Sequence, residues 1–386
     1  MVRNSRIRVW IAIAALFAAL LEWWRRCRRG AWHWVPAGLM SQRRRGHAAT
    51  ALADGRVLVV GGHPADADDP PLPGAEVWDP GTDAWSAVGP MAVGRSRTAL
   101  VTLHDGRVLV VGGWIGTTTT ADCELFDPAT GTWAPTGAMH VSRTAHAAAV
   151  LADGRVLVAG GFDHPSGDVL SSVEVYDPAV GLWTPTTGLS SPRQNLVLAV
   201  LPDDTVLAAG GDTGTSGSSV CERYDPATAV WAPSGAMTVD RSDDDAGSFG
   251  AALLTDGRVV AAAGFGGPAS WYLDSAEVYD PGPNTWSAIV SLPGDPRVLP
   301  GVAPLPDGAA LVVGGWTGDL PLADAYRWPG AGGWQTLPSL TVARGGHTAT
   351  ALPGGDVVVA GGFAPGADTA AAERLTRRRA CLPWHR

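Results

Sequence analysis

A hydrophobic run ending in two glycines recurs along this chain, at Gly61-Gly62, Gly112-Gly113, Gly160-Gly161, Gly210-Gly211, Gly314-Gly315 and Gly361-Gly362, with Ala263-Gly264 as a variant copy. The second residues of these pairs stand 47 to 53 positions apart. Such a period restricts the chain to a repeat architecture, in which each unit buries its apolar face only against the next. An aromatic-Asp-Pro turn and a tryptophan follow five of the pairs: Trp78-Asp79-Pro80 to Trp85, Phe126-Asp127-Pro128 to Trp133, Tyr176-Asp177-Pro178 to Trp183, Tyr224-Asp225-Pro226 to Trp231, and Tyr279-Asp280-Pro281 to Trp286. A sixth copy is worn and runs from Tyr326-Arg327-Trp328-Pro329 to Trp334.

Each unit reads as four short strands, a to d. Strand a is small and apolar, as in 48–52, and strand b runs into the glycine pair. Between them lie Asp54-Gly55, Asp105-Gly106, Asp153-Gly154, Asp256-Gly257 and Asp307-Gly308, dipeptides suited to tight hairpins with positive φ. Strand c ends at the aromatic residue, and strand d begins at the tryptophan. The 50 glycines and 30 prolines fit many turns and little helix.

The register also predicts how the array closes. Trp34 begins a strand d, in Trp34-Val35-Pro36-Ala37-Gly38-Leu39-Met40, that no strands a, b or c precede. At the other end, the strand around Glu373 has no strand d after it. An N-terminal strand d completing the last unit gives seven whole blades and leaves no open sheet edge.

The blade motifs resemble kelch repeats, over roughly residues 34–376. That resemblance implies an all-β, seven-bladed β-propeller. The Arg-x-x-His-x-Ala form, with Asp-Gly-Arg-Val-Leu, is also similar to the propeller of galactose oxidase-like proteins. Copper radical chemistry in that group needs two tyrosines, one of them joined to a cysteine, and two histidines. Tyr176, Tyr224, Tyr279 and Tyr326 are taken up by the strand-c pattern, leaving Tyr272 outside it. The expectation is therefore a propeller without the copper site and without a cofactor.

Three segments divide the chain: a basic and apolar stretch at 1–30, the propeller at 31–378, and a tail at 379–386. In the first, an uncharged run from Val9 to Leu21 is flanked by Arg3, Arg6 and Arg8 and by Arg25, Arg26, Arg28 and Arg29. Its 13 residues are short for a spanning helix. They suit an export signal, an uncleaved anchor or an interfacial helix over 9–24, or a start codon placed too early. A secreted or envelope-associated protein is the expectation, with a cytoplasmic one as the alternative.

The charge distribution argues against one class of partner. All 28 basic residues are arginine; ten lie in 1–45 and five at or beyond Arg374, which leaves 13 against 36 acids between, a balance of −23. So acidic a body repels a phosphate backbone, so nucleic acid is not an expected partner.

Features present in every blade belong to the blade, so function is expected where the repeat varies. The a–b and c–d turns share one face and have fixed lengths. The b–c and d–a loops share the other and vary, which marks it as the binding face. Blade 5 departs furthest, with Ala263, an insertion carrying Asp243, Asp244 and Asp245 after Arg241, and the aromatic pair Trp271 and Tyr272. Carboxylates beside aromatics suit a sugar or a basic peptide.

A ring of arginines precedes each strand a: Arg44, Arg95, Arg143, Arg193, Arg241, Arg297 and Arg344. Of these, Arg193, Arg241 and Arg297 are candidate ligand contacts near blade 5 at the mouth of the channel, against a structural role in bonding carbonyls between blades. His47, His146 and His347 share one register without metal-ligand spacing and read as structural. Asp66, Asp68 and Asp69 read as a solvated loop. Cys123 and Cys221 are too far apart to pair, whereas Cys27 and Cys381 lie at the same end of the closing blade, with free thiols the expectation. Together these features predict a monomeric, non-catalytic scaffold for a protein or glycan ligand, the alternative being a carbohydrate-active enzyme such as an epimerase or mutarotase.

Overall fold

The computed structural model describes residues 30–64, 69–241, 249–267 and 271–377. Among them are seven four-stranded antiparallel sheets and no helix. Six are built in chain order, a to d; blade 1, for example, comprises Ala48–Ala51, Val57–Val60, Ala75–Asp79 and Ala84–Val88. The seventh has the order Trp32–Leu39, Ala371–Arg377, Val357–Ala360, Thr348–Ala351, so its outermost strand is the first of the described strands. Trp34 lies opposite Leu375 and Pro36 opposite Glu373.

Strand b explains why each unit needs neighbours. All four residues of Val57–Val60, and of its six counterparts from Val108–Val111 to Val357–Ala360, are buried. Strand b is flanked in its own sheet and covered on both faces by adjacent blades, so its sequence is a continuous apolar run instead of an alternating one. The core is accordingly distributed between blades: Val156 and Val158 of blade 3 pack with Leu109 and Val111 of blade 2.

Five strand-d tryptophans, Trp34, Trp85, Trp183, Trp231 and Trp334, fasten their blade to the one before it, whereas the buried indole nitrogens of Trp133 and Trp286 make no such bond. The five indole N–H groups donate to carbonyls of the preceding d–a segment, Trp85 to Ala37 at 2.8 Å, Trp183 to Gly137 at 2.9 Å and Trp334 to Val290 at 2.7 Å. Trp34 does the same to Pro338 at 2.8 Å across the closing seam.

In blade 6 the register differs from the sequence expectation. Trp328, opposite Ala310, occupies the aromatic position that Tyr279, opposite Val259, holds in blade 5. Tyr326 instead lies opposite Val312, where blade 5 places Glu277 opposite Ala261. Counting back from the tryptophan cannot detect that the c–d turn of this blade is shorter.

On the turn face, charge is exchanged between two sequence positions. Arg56, Arg107, Arg155 and Arg258 each pair with the Asp two residues earlier, in the a–b turn. Blades 4, 6 and 7 lack that arginine. There Arg223, Arg327 and Arg374 rise from strand c to meet Asp203, Asp307 and Asp356. Where strand c supplies no arginine it carries Val77, Leu125, Val175 or Val278.

Candidate functional site

The b–c and d–a loops meet on one face because the end of strand b pairs with the start of strand a. Backbone bridges extend this pairing into the loops, joining Arg45 to His63, Ser96 to Trp114, Thr144 to Phe162, Gln194 to Asp212, Val298 to Trp316 and Gly345 to Phe363. In each pair the second residue directly follows the glycine doublet. With Phe265 in blade 5, this position reads His63, Trp114, Phe162, Asp212, Phe265, Trp316 and Phe363, all half-buried.

Five of the seven are aromatic and they cluster in two arcs. Trp316 meets Phe363 of the next blade edge-on at 5.0 Å. On the other side, His164 packs against Trp114 at 4.8 Å and Phe162 at 6.5 Å. Polar groups separate the arcs: the Ser96 hydroxyl and His63 Nε2 lie 2.8 Å apart, and Asp212 faces Gln194. The signal was present in the sequence as one fixed offset from every doublet, but it was hidden beside the doublets, which read as scaffold.

Between four pairs of neighbouring blades a further set of bonds is made of backbone. Arg97 N–H donates to the Gly46 carbonyl at 2.8 Å, Ala145 to Arg97 at 3.1 Å, Asn195 to Ala145 at 2.7 Å, and Gly346 to Leu299 at 3.2 Å. Arg97, Ala145, Asn195 and Leu299 hold φ of 48° to 55°, a left-handed conformation uncommon for residues with a side chain. The inter-blade hydrogen bonds supply the restraint that keeps them there.

Blade 5 supplies part of what the sequence suggested. Trp271 is 68% exposed on this face, and it pairs across a short hairpin with Gly266. Tyr272 packs edge-on against Phe265 at 5.8 Å and lies over Gly318 of blade 6. Asp243, Asp244 and Asp245 lie outside the described residues, as do Asp66, Asp68, Cys27 and Cys381.

The arginines do not line the channel mouth. Arg193, Arg241 and Arg297, like the other four, are buried to 1% exposure or less, and their side chains turn into their own blades. Arg193 donates to the Gly210 and Val220 carbonyls and to Glu222 at 2.5 Å. Arg241 donates to Ala263 and Ser275 carbonyls and to Glu277 at 3.1 Å. The free oxygen of each glutamate accepts a backbone N–H from the incoming d–a segment, as Glu76 does from Ser41 at 2.7 Å. In blade 6, where Tyr326 takes the glutamate position, Arg297 pairs bidentately with Asp324, which also accepts from the Tyr326 hydroxyl at 2.6 Å.

What links blades is the arginine backbone. Gly62, Gly113, Gly161, Gly211, Gly264, Gly315 and Gly362 each donate an N–H to the carbonyl of the arginine one blade on. These arginines are thus structural, and blade to blade they act through the main chain where side-chain bonds had been the expectation.

The three histidines are buried beside them. Burial, with the nearby Arg44 as a smaller contribution, pulls His47 down to about 3; burial and Arg143 do the same to His146. His347 is likewise held well below its usual range by burial and Arg344. They are neutral packing groups, and no cluster of three metal-ligating side chains exists among the described residues.

Among the described residues the donors copper would need are not brought together. The hydroxyls of Tyr176, Tyr224 and Tyr279 lie in strand c, bonded to Thr136, Thr186 and Ser234, and Tyr326 is bonded to Asp324. Cys123 and Cys221 are buried in the same strands, away from the axis.

Seven radial four-stranded sheets closed on themselves define a β-propeller. Kelch motifs match residues 44–92, 95–140 and 143–190, the first three blades of this propeller. No curated protein matches the chain in sequence. Among solved structures it is similar to a fungal alcohol oxidase of the AA5 family in complex with copper, at 19% identity and a TM-score of 0.69, over 90% of this chain and 76% of that one. A likeness at that identity carries the fold, which hosts many unrelated functions.

Proposed function

We propose that this propeller is a non-catalytic scaffold that binds a glycan through its b–c/d–a loop face. The observation that carries the reading is the ring of half-buried residues after the doublets, five of them aromatic. Ring edges exposed beside hydroxyl, amide and carboxylate groups match the alternating apolar and hydroxylated faces of a sugar. Trp271 extends this surface outward over blade 5, and the insertion with Asp243, Asp244 and Asp245 belongs to the same loop face in sequence register.

The test is a glycan and peptide array, followed by titration of the best binder into Trp114→Ala, Trp316→Ala and Trp271→Ala variants. Loss of one stacking aromatic should weaken binding about tenfold, near 1.4 kcal/mol, without changing the melting temperature of the fold. Binding indifferent to all three substitutions, or confined to peptides, overturns the reading. Turnover of the bound sugar in an NMR anomerisation assay, lost in the same variants, replaces it with an enzyme.

A further inference from the structure

The opposite face carries a cavity of about 460 Å³ at the seam between blades 6 and 7. Among the described residues it is lined by Trp32, Asp307, Arg327, Gln335 and Arg377. Its origin is the closure of the ring: strands c and d of blade 7 come from opposite ends of the described chain, so the seam that the Asp-Pro turn borders elsewhere is bordered here by the first and last described strands.

Among the described residues the charges at this seam do not balance. Asp307 accepts from Arg327 at 2.9 Å and from Arg377 at 2.5 Å, so two guanidinium groups share one carboxylate. At the other strand-c arginines the count is reversed or equal: Arg374 meets both Asp83 and Asp356, and Arg223 meets Asp203. Among the described residues, then, two guanidinium groups face one carboxylate in a concave place on an otherwise acidic body, an arrangement that favours an added anion.

The remaining lining sets its chemistry. The Arg377 guanidinium stacks on the Trp32 ring at 4.3 Å, which holds it in place over an aromatic wall. Gln335 accepts from Arg327 through its Oε1 at 2.8 Å, an arrangement that leaves its amide N–H groups as donors. We infer that this seam binds a small organic carboxylate of hexuronate size, its carboxylate on Arg377 and Arg327 and its hydroxyls on Gln335. The site is independent of the loop face.

The experiment is a calorimetric titration of the full chain with D-glucuronate, and with D-glucose as the neutral counterpart. Glucuronate should bind saturably and glucose should not. Arg377→Gln should weaken glucuronate at least tenfold, Asp307→Asn should tighten it, and Trp114→Ala on the other face should leave it unchanged. A melting curve verifies that Arg377→Gln remains folded. Equal affinity for glucose, no saturable binding, or binding retained in Arg377→Gln overturns the inference. So does binding that appears only when residues 378–386 are removed, since that segment would then be the occupant.

Discussion

The Gly362 N–H donates to the Arg44 carbonyl at 2.9 Å, joining the last blade to the first by the same bond that joins every other pair of neighbours. The Arg44 side chain meanwhile grips Gly61, Gly74 and Glu76 of its own blade. One residue therefore serves both the integrity of a blade and the closure of the ring.

Replacing Gly362 by alanine tests the seam. Its φ is +90°, and an added Cβ would lie 2.5 Å from the Gly345 carbonyl and 2.9 Å from His347 Cβ. The expected loss is about 3 kcal/mol of unfolding free energy, read from urea denaturation. Gly55→Ala, where nothing lies within 4 Å but φ is +86°, should cost about 1 kcal/mol.

Breaking one clamp leaves a buried charge without its partner. Arg143, fully buried, pairs with Glu174 at 2.9 Å, and either Arg143→Met or Glu174→Leu should destabilise by about 3–5 kcal/mol. The double variant should lose less than the sum of the two. A double-mutant cycle by calorimetry checks the coupling, and additive losses would show that the two residues act separately.

The histidines make stability depend on pH. A base whose folded-state value is lowered favours folding fully above its unfolded value, near 6.5, and loses that contribution as pH falls toward the folded value of about 3 for His47 and His146. Each such histidine contributes a slope of about 1.4 kcal/mol per pH unit once pH is well below the unfolded value. Urea midpoints should fall steeply from pH 6 to pH 4. In a His47→Gln, His146→Gln, His347→Gln variant the slope over this window should be markedly shallower.

Burial raises the thiols of Cys123 and Cys221 to about 12 and about 11. In a Cys27→Ser, Cys381→Ser background, native protein at pH 8 should not react with a thiol-specific reagent within minutes. Two thiols should titrate at once in denaturant. Fast reaction of folded protein would show that strand c opens locally.

The seven blades, their turns and their strand order were legible because each blade repeats the same short-range chemistry: an Asp-Gly hairpin, a four-residue apolar strand and a tryptophan at fixed spacing. Blade 6 was misread by two positions at Tyr326, because local spacing alone cannot report which residue faces Val312. The loop-face ring was harder to see. His63, Trp114 and Phe162 differ in residue type and share only an offset, and their common exposure follows from where strand b ends relative to strand a.

The sequence by itself determined the repeat and the number of blades, and it pointed to the strand that completes the last one, since these depend on periodicity and turn chemistry along the chain. Tertiary structure alone decided what the conserved-looking charges do. Arg44 and Glu76 lie 32 residues apart, and either could face solvent, channel or core until strand c is laid beside strand b. Side-chain direction across a blade is set by packing against both neighbours, and so it was the fold that decided between ligand contacts and structural bonds and made this ring one of internal clamps.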